Sequence, residues 1–289
     1  MPHTKSPLRY PGGKTQLYKF VSHLLSINEI ENGVYIEPFS GGAGLALRLL
    51  LDHTVERIVI NDFDPSIHAF WHSILNNTEA FINLVQNTPV TLDEWHHQRD
   101  VYTNNHEDPQ SLENGFATFF LNRTNRSGII TGGPIGGNSQ DGRYLIDCRY
   151  NAENLVKKIQ TIAHLADRID LYFNDATDLI NNVILNENPK NTFCFFDPPY
   201  YEQGQKLYTN YFTHEDHQQL HDAIINLRDY FWITTYDHAE EVANIYADTE
   251  CYEYHLQYSA QRKRIEQEYL FSNLNTSLES YERVNLSRL

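Results

Sequence analysis

The stretch Phe195-Phe196-Asp197-Pro198-Pro199-Tyr200 runs an apolar, strand-like segment directly into an acid, two prolines and a tyrosine. In open α/β sheets ligands sit at the carboxyl ends of the strands, which is where such a tetrapeptide emerges. The chemistry it suits is methylation of an exocyclic amine on a nucleobase. That nitrogen is a weak nucleophile, because its lone pair is delocalised into the ring. The Asp197 carboxylate and the Pro198 carbonyl can each accept one N–H, which favours a pyramidal nitrogen with its lone pair turned toward a sulfonium methyl. The two prolines fix φ and stiffen the backbone carrying that carbonyl, and Tyr200 offers a face on which an extruded base can stack. A core tyrosine closing a turn after a buried strand is the plainer alternative.

A second group is Tyr35-Ile36-Glu37-Pro38-Phe39-Ser40-Gly41-Gly42-Ala43-Gly44, a strand, a glycine turn and the start of an Ala/Leu helix. Glycines here permit positive φ and close approach of a ligand to the backbone. It is not a full G-x-G-x-x-G, but Asn61-Asp62 follows, with Asp62 eighteen residues past Gly44. An acid about 20 residues on is where adenosine cofactors have their ribose diol held; a helix N-cap before Pro65 is the alternative. A third group, Pro7-Leu8-Arg9-Tyr10-Pro11-Gly12-Gly13-Lys14-Thr15, invites comparison with a P-loop. The Walker spacing needs glycine six positions before Lys14, where Leu8 stands, so NTP hydrolysis is unsupported.

These groups require strands to present them. Short β-rich runs occur at Val34-Tyr35-Ile36, Arg57-Ile58-Val59-Ile60, Ile169-Asp170-Leu171-Tyr172-Phe173, Thr192-Phe193-Cys194-Phe195-Phe196 and Tyr230-Phe231-Trp232-Ile233-Thr234-Thr235, reading as buried parallel strands. Helical patterns alternate with them at Gln16 to Leu25, Ala43 to Leu51 and His214 to Leu227, the last with Thr213 and Asp216 as a capping signal. Alternating β and α predicts a doubly wound α/β sheet. The alternation breaks between about Ile67 and Ala166, where helix-like stretches (Ala69 to Leu84, Gly115 to Asn122, Ala152 to Leu165) surround the glycine-rich loop 127–137. That predicts a helical insert over 67–166 splitting a core of 1–66 and 167–289, with a loop of a kind that is usually functional. Cys251 to Ser259 and Glu268 to Ser272 predict two antiparallel strands joined by a basic turn, Arg262-Lys263-Arg264.

The chain has 289 residues and a formal charge of −16, which argues against a uniformly basic nucleic-acid coat or membrane binder. Cations are nevertheless segregated. Residues 1–20 hold Lys5, Arg9, Lys14 and Lys19 and no acid, and residues 122–158 hold Arg123, Arg126, Arg143, Arg149, Lys157 and Lys158 against Asp141, Asp147 and Glu153. Electrostatic footprints are local, so an acidic protein can present a basic groove to phosphate. The three cysteines form no Cys-x-x-Cys pair, so no disulfide framework or zinc site is expected. No apolar run approaches the ~20 residues needed to span a bilayer, so a cytoplasmic location is expected.

Arg-Tyr-Pro-Gly-Gly-Lys, Glu-Pro-Phe-x-Gly-x-Gly, Asn-Asp and Asp-Pro-Pro-Tyr, in this order with a helical insert before the last, closely resemble the Dam-like (D12-class, α-group) DNA adenine-N6 methyltransferases. The resemblance continues in Phe120-Leu121-Asn122-Arg123-Thr124 and in residues 262–273. It implies a Rossmann-like class I methyltransferase sheet with an inserted helical target-recognition domain, and S-adenosylmethionine as cofactor. It implies transfer to N6 of adenine in double-stranded DNA through a flipped base, with no metal. By resemblance, Tyr10, Lys14, Glu37, Phe39, Gly41, Gly44, Asp62 and Asp197 belong to the cofactor site, with Asp175 a further candidate near the cofactor adenine. Asp197, Pro198 and Tyr200 carry over as the methyl-transfer site. Arg9, Asn122, Arg123, Arg126, Arg262 and Arg264 fall where the family touches DNA. The recognition loop departs from the GATC-reading members, which leaves the target sequence open. A cognate restriction endonuclease on the same site and a monomer or weak dimer complete the expectation. An N4-cytosine methyltransferase and a noncatalytic DNA-binding homologue are the alternatives, and a nicotinamide oxidoreductase would leave Asp-Pro-Pro-Tyr without a role.

Overall fold

The computed structural model describes residues 4–9, 14–202, 212–258 and 264–289. Its strands are β1 (Val34–Glu37), β2 (Arg57–Asn61), β3 (Ile169–Tyr172), β4 (Thr192–Phe196), β5 (Phe231–Asp237), β6 (Glu250–Tyr258), β7 (Arg264–Ser272) and β8 (Ser287–Arg288). They form one sheet in the order β3-β2-β1-β4-β5-β7-β6-β8. β1 to β5 are parallel, and β7 runs antiparallel between β5 and β6. The order reverses between β1 and β4, the switch point at which open α/β sheets bind ligands. This is the doubly wound arrangement read from the alternating pattern and the Rossmann-like sheet implied by the resemblance, with the antiparallel pair added at its far side.

Both faces of the sheet are covered, and the strands show it residue by residue. Tyr35, Ile58, Ile60, Phe193, Phe195 and Ile233 join one apolar core; Ile36, Val59, Cys194, Phe196 and Trp232 join the other. Because side chains alternate across a strand, a continuously apolar run buries on both sides. The first core is covered by α1 (Tyr18–Ile27), α2 (Gly44–Leu51) and the helices between β2 and β3; the second by Ala176–Asn182, His214–Ile224 and Glu240–Ile245.

Between β2 and β3 lie α3 (Pro65–Asn76), α4 (Thr78–Asn87), α5 (Leu92–Asn105), α6 (Leu112–Thr124) and α7 (Ala152–Ala163). The segment read as one helix from Ala69 to Leu84 is two, since the α3 backbone leaves helical geometry at Asn77. The α5 helix carries no clear apolar stripe and buries only Trp95 and Gln98, which is why periodicity misses it. Phe70, Trp71, Phe81, Phe116, Phe119 and Phe120 of these helices belong to the same core as Leu17, Leu45 and Phe195. The inserted helices therefore share the core of one sheet face. Among the described residues no helix is long and apolar enough to cross a membrane.

Candidate active site

Asn61 builds the rim at the carboxyl ends of β1, β2 and β3. Its side-chain amide donates to Pro38 O (2.9 Å) and Asn174 O (3.0 Å), and its Oδ1 accepts from Asn174 N (2.9 Å). Asp62 closes the same rim, accepting from Gly41 N at 2.7 Å through Oδ2 and from Asp64 N at 3.0 Å through Oδ1. Burial pushes its carboxyl up to about 7, Asp64 adds to the rise, and the two backbone donors oppose it. Trp71 of α3 donates to Gly41 O at 2.9 Å, so an inserted helix also holds the turn.

Within the turn, Gly41 (φ 45°) and Ala43 (φ 43°) are left-handed, a conformation that costs alanine energy and is tolerated at functional turns. Ser40 Oγ is buried there with no hydrogen-bond partner among the described residues. An orphaned buried hydroxyl beside a strained turn at the switch point fits a cradle for a bound small molecule. Phe63, 54% exposed directly after Asp62, stacks on Phe173 at 5.5 Å and adds an apolar platform beside that rim. Neither ring stands out in the sequence. Asp175 caps the helix Ala176–Asn182 by accepting from Thr177 N (2.8 Å) and Thr177 Oγ1 (2.6 Å).

Two residues of the glycine turn have local structural duties. Glu37 points into the core, 8% exposed, and its Oε1 accepts from Tyr35 OH (3.0 Å) and from Ala46 N (3.1 Å) in α2. Gly44 is needed where the N-terminal segment crosses α2, since an added Cβ would lie 2.5 Å from Thr15 Oγ1. Burial raises the Glu37 carboxyl to about 8, against the pull of those two donors. Its stabilising contribution is therefore complete below about pH 4.5 and is lost as pH climbs through about 8. Glu37→Gln keeps an oxygen for both donors and does not titrate. Its advantage in unfolding free energy over the parent should widen by about 1 kcal/mol per pH unit between roughly pH 5 and 8, then level off. Thermal unfolding of both proteins across that range checks this, and a constant difference would refute it.

At the end of β4, Asp197 is a quarter exposed. Its Oδ1 accepts from Thr235 Oγ1 of β5 at 2.8 Å and lies 3.1 Å from Lys14 Nζ. Lys14 is 5% exposed, donates to Tyr200 OH at 2.7 Å and lies over the Tyr200 ring, 5.0 Å from its centroid. Burial raises the Asp197 carboxyl above its ordinary range, Lys14 opposes the rise, and Glu268 of β7 adds to it. Asp237, at the end of β5, accepts from Tyr201 N and Glu202 N at 2.9 Å each, anchoring the chain just past Tyr200. The structure thus brings Lys14, Asp197, Pro198 and Tyr200 together beside the turn at Phe39 and Gly41, with Glu268, Thr235 and Asp237 as partners not foreseen as site residues.

The chemistry of this cluster agrees with what the whole sequence matches. The sequence model of the D12 class N6 adenine-specific DNA methyltransferases matches residues 10–260. The chain belongs to that family. It is an adenine DNA methyltransferase, and it is similar to two type II methyltransferases. The Type II methyltransferase M.MjaIII of Methanocaldococcus jannaschii is 24% identical over 227 residues, covering 73% of this chain and 75% of its own. The Type II methyltransferase M1.LlaDCHI of Lactococcus lactis subsp. cremoris is 25% identical over 235 residues, covering 76% and 75%.

The residues expected at DNA differ in whether they face outward. Asn122 does not. It is 1% exposed, its Oδ1 accepts from Arg9 N (2.8 Å), and its amide donates to Arg9 O (3.1 Å) and Gly128 O (2.8 Å). The expectation that Asn122 touches DNA is corrected on that ground. Arg123 is half-buried and donates to Arg149 O and, at 3.4 Å, to Pro7 O; burial first, then Arg9 and Arg149, lower its pKa to about 10. Arg9 is also partly covered and donates to Asn125 O at 3.0 Å. Arg126, by contrast, is exposed, as are Arg143 and Arg149 together with Tyr144 (56%) and Leu145 (40%). Tyr10 and Arg262 lie outside the described residues, as does the side chain of Arg264.

Proposed function

We propose that the protein transfers a methyl group from S-adenosylmethionine to N6 of an adenine flipped out of double-stranded DNA at a short specific sequence. The observation that carries this reading is the placement of Asp197, with Thr235 and Lys14 both on Oδ1. Oδ2 is then the oxygen offered to the adenine amine, and the Pro198 carbonyl takes its second N–H. When bound, S-adenosylmethionine supplies an electrophilic sulfonium methyl. Phe39, Ser40 and Gly41 at the turn, with Asp62, Phe63 and Asp175 along the rim, are the residues that would hold it. Tyr200 stacks on the flipped base. As the N–C bond forms and the methyl's bond to sulfur breaks, leaving the donor as its neutral thioether, Asp197 stabilises charge developing on the amine, and the departing proton passes to solvent or transiently to Asp197.

The outward cations of the insert form the DNA face, with Arg126 at its loop. Arginine offers a bidentate fork to guanine and a positive charge to phosphate. Arg126→Ala should weaken binding of methylatable DNA by about tenfold or more and leave cofactor affinity unchanged. Fluorescence anisotropy at several salt concentrations tests this, and unchanged affinity and salt slope would take Arg126 out of the interface. The type II names of the two relatives support a cognate restriction endonuclease acting on the same site as a partner of this enzyme.

The deciding experiment for the function incubates unmethylated DNA with the protein and labelled S-adenosylmethionine, digests the product and identifies the modified nucleoside by mass. N6-methyladenine is expected. N4-methylcytosine, or no modified base, would overturn the reading, and single-molecule sequencing of the same product gives the recognition sequence.

A further inference from the structure

Glu268 occupies an inward position of β7, on the same side as the core residue Leu270, and is 1% exposed. An acid at such a place is costly, because taking a carboxyl group out of water carries a penalty that only close partners offset. Its partners converge from three parts of the chain. Oε1 accepts from Tyr200 OH at 2.5 Å, Oε2 accepts from Tyr254 OH on the paired strand, and Lys14 Nζ lies 3.6 Å from Oε2. Tyr254 is itself 1% exposed and stands directly across β6 and β7 from Glu268. A carboxylate needed only for charge balance could stop at the lysine. Here it also holds the phenol edge of the aromatic residue assigned to the target base, and the lysine it approaches is the one that contacts Asp197.

We propose that Glu268 is a positioning residue of the methyl-transfer site, fixing the Tyr200 ring and the Lys14 ammonium so that stacking face and Asp197 acceptor are set before DNA arrives. The proposal rests on the methyl-transfer reading above. Glu268 touches neither base nor methyl group; it acts through the Tyr200 hydroxyl and through Lys14. Preorganisation of this kind governs the rate of the chemical step more than ground-state binding, since a small misplacement of reacting groups is felt chiefly in the transition state.

The test uses the full-length protein and single-turnover methylation of a DNA duplex at saturating S-adenosylmethionine. Parent, Glu268→Gln, Tyr200→Phe and the double variant are compared, with cofactor affinity by calorimetry and unfolding midpoints alongside. Glu268→Gln should lower the rate constant about tenfold or more with cofactor affinity within about threefold. In the Tyr200→Phe background the same change should cost clearly less than in the parent, because the phenol it holds is gone and only its hold on Lys14 is left to lose. A purely structural carboxylate would instead give equal, multiplicative losses in both backgrounds, and that result, or a parental rate in Glu268→Gln, overturns the proposal. Should Glu268→Gln fail to fold, Tyr254→Phe, which removes only the second phenol on the carboxylate, should still slow transfer about threefold, and an undiminished rate overturns the proposal. A parent enzyme that methylates no base defeats the underlying reading instead, so the two failures are distinguishable.

Discussion

Replacing Asp197 with alanine should lower the methyl-transfer rate constant by on the order of a thousandfold, equivalent to about 4 kcal/mol of lost transition-state stabilisation, while the protein stays folded. The size follows from what Asp197 offers: an oxygen for the amine in a partly closed site, held by Thr235 and Lys14 before substrate binds. Alanine removes that acceptor and leaves only the Pro198 carbonyl. The fold should persist because the change strands no buried cation: Lys14 Nζ keeps Tyr200 OH at 2.7 Å and Glu268 Oε2 at 3.6 Å. Single-turnover transfer of labelled methyl, with circular dichroism and cofactor affinity as controls, makes the comparison. A rate within tenfold of the parent in a folded variant would remove Asp197 from the chemistry.

The parts of this site that could be read from sequence are those in which chemistry is contiguous with a strand end. Glu-Pro-Phe-x-Gly, Asn-Asp and Asp-Pro-Pro-Tyr each directly follow an apolar run, and the switch-point rule places such residues where ligands bind. The partners that set their geometry were hidden for a physical reason. Glu268 lies in Arg264-Ile265-Glu266-Gln267-Glu268-Tyr269, a polar alternation that reads as a solvated strand face, and only the crossing of Lys14 and Tyr200 above it reveals that it is buried. Asp237 looks like an ordinary strand terminus until the chain after Tyr200 returns to it. Asn122 shows the reverse error. The resemblance of Phe-Leu-Asn-Arg-Thr to the family is what puts Asn122 at DNA, yet a residue type carried over in this way does not say whether an amide faces solvent or a neighbouring backbone.

That buried amide leads to the second large effect. Gly128→Ala should destabilise the protein by about 3 kcal/mol or more and weaken DNA binding at temperatures where the variant is still folded. Gly128 has φ 79°, and a Cβ there would lie 2.1 Å from Arg9 O, a contact that only backbone movement can relieve. Arg9 cannot move cheaply, because Asn122 brackets its N–H and C=O and Asn125 O accepts from its guanidinium. The stem of the loop 127–137 and the N-terminal segment are thus sewn together at one crossing, five residues before Lys14, whose Nζ lies 3.1 Å from Asp197 Oδ1. Asn122→Ala attacks the same crossing without a clash, leaving backbone groups of Arg9 and Gly128 unpaired, and should cost about 2–4 kcal/mol. If the crossing couples loop to site, both variants will show slower methyl transfer as well as lower unfolding midpoints, although both altered residues are buried. A Gly128→Ala protein with parental stability and parental DNA affinity would show that Arg9 can be displaced freely, and the loop would then have to hold its shape through Asn125, which donates to Ile129 O at 2.9 Å and Ile130 O at 2.8 Å.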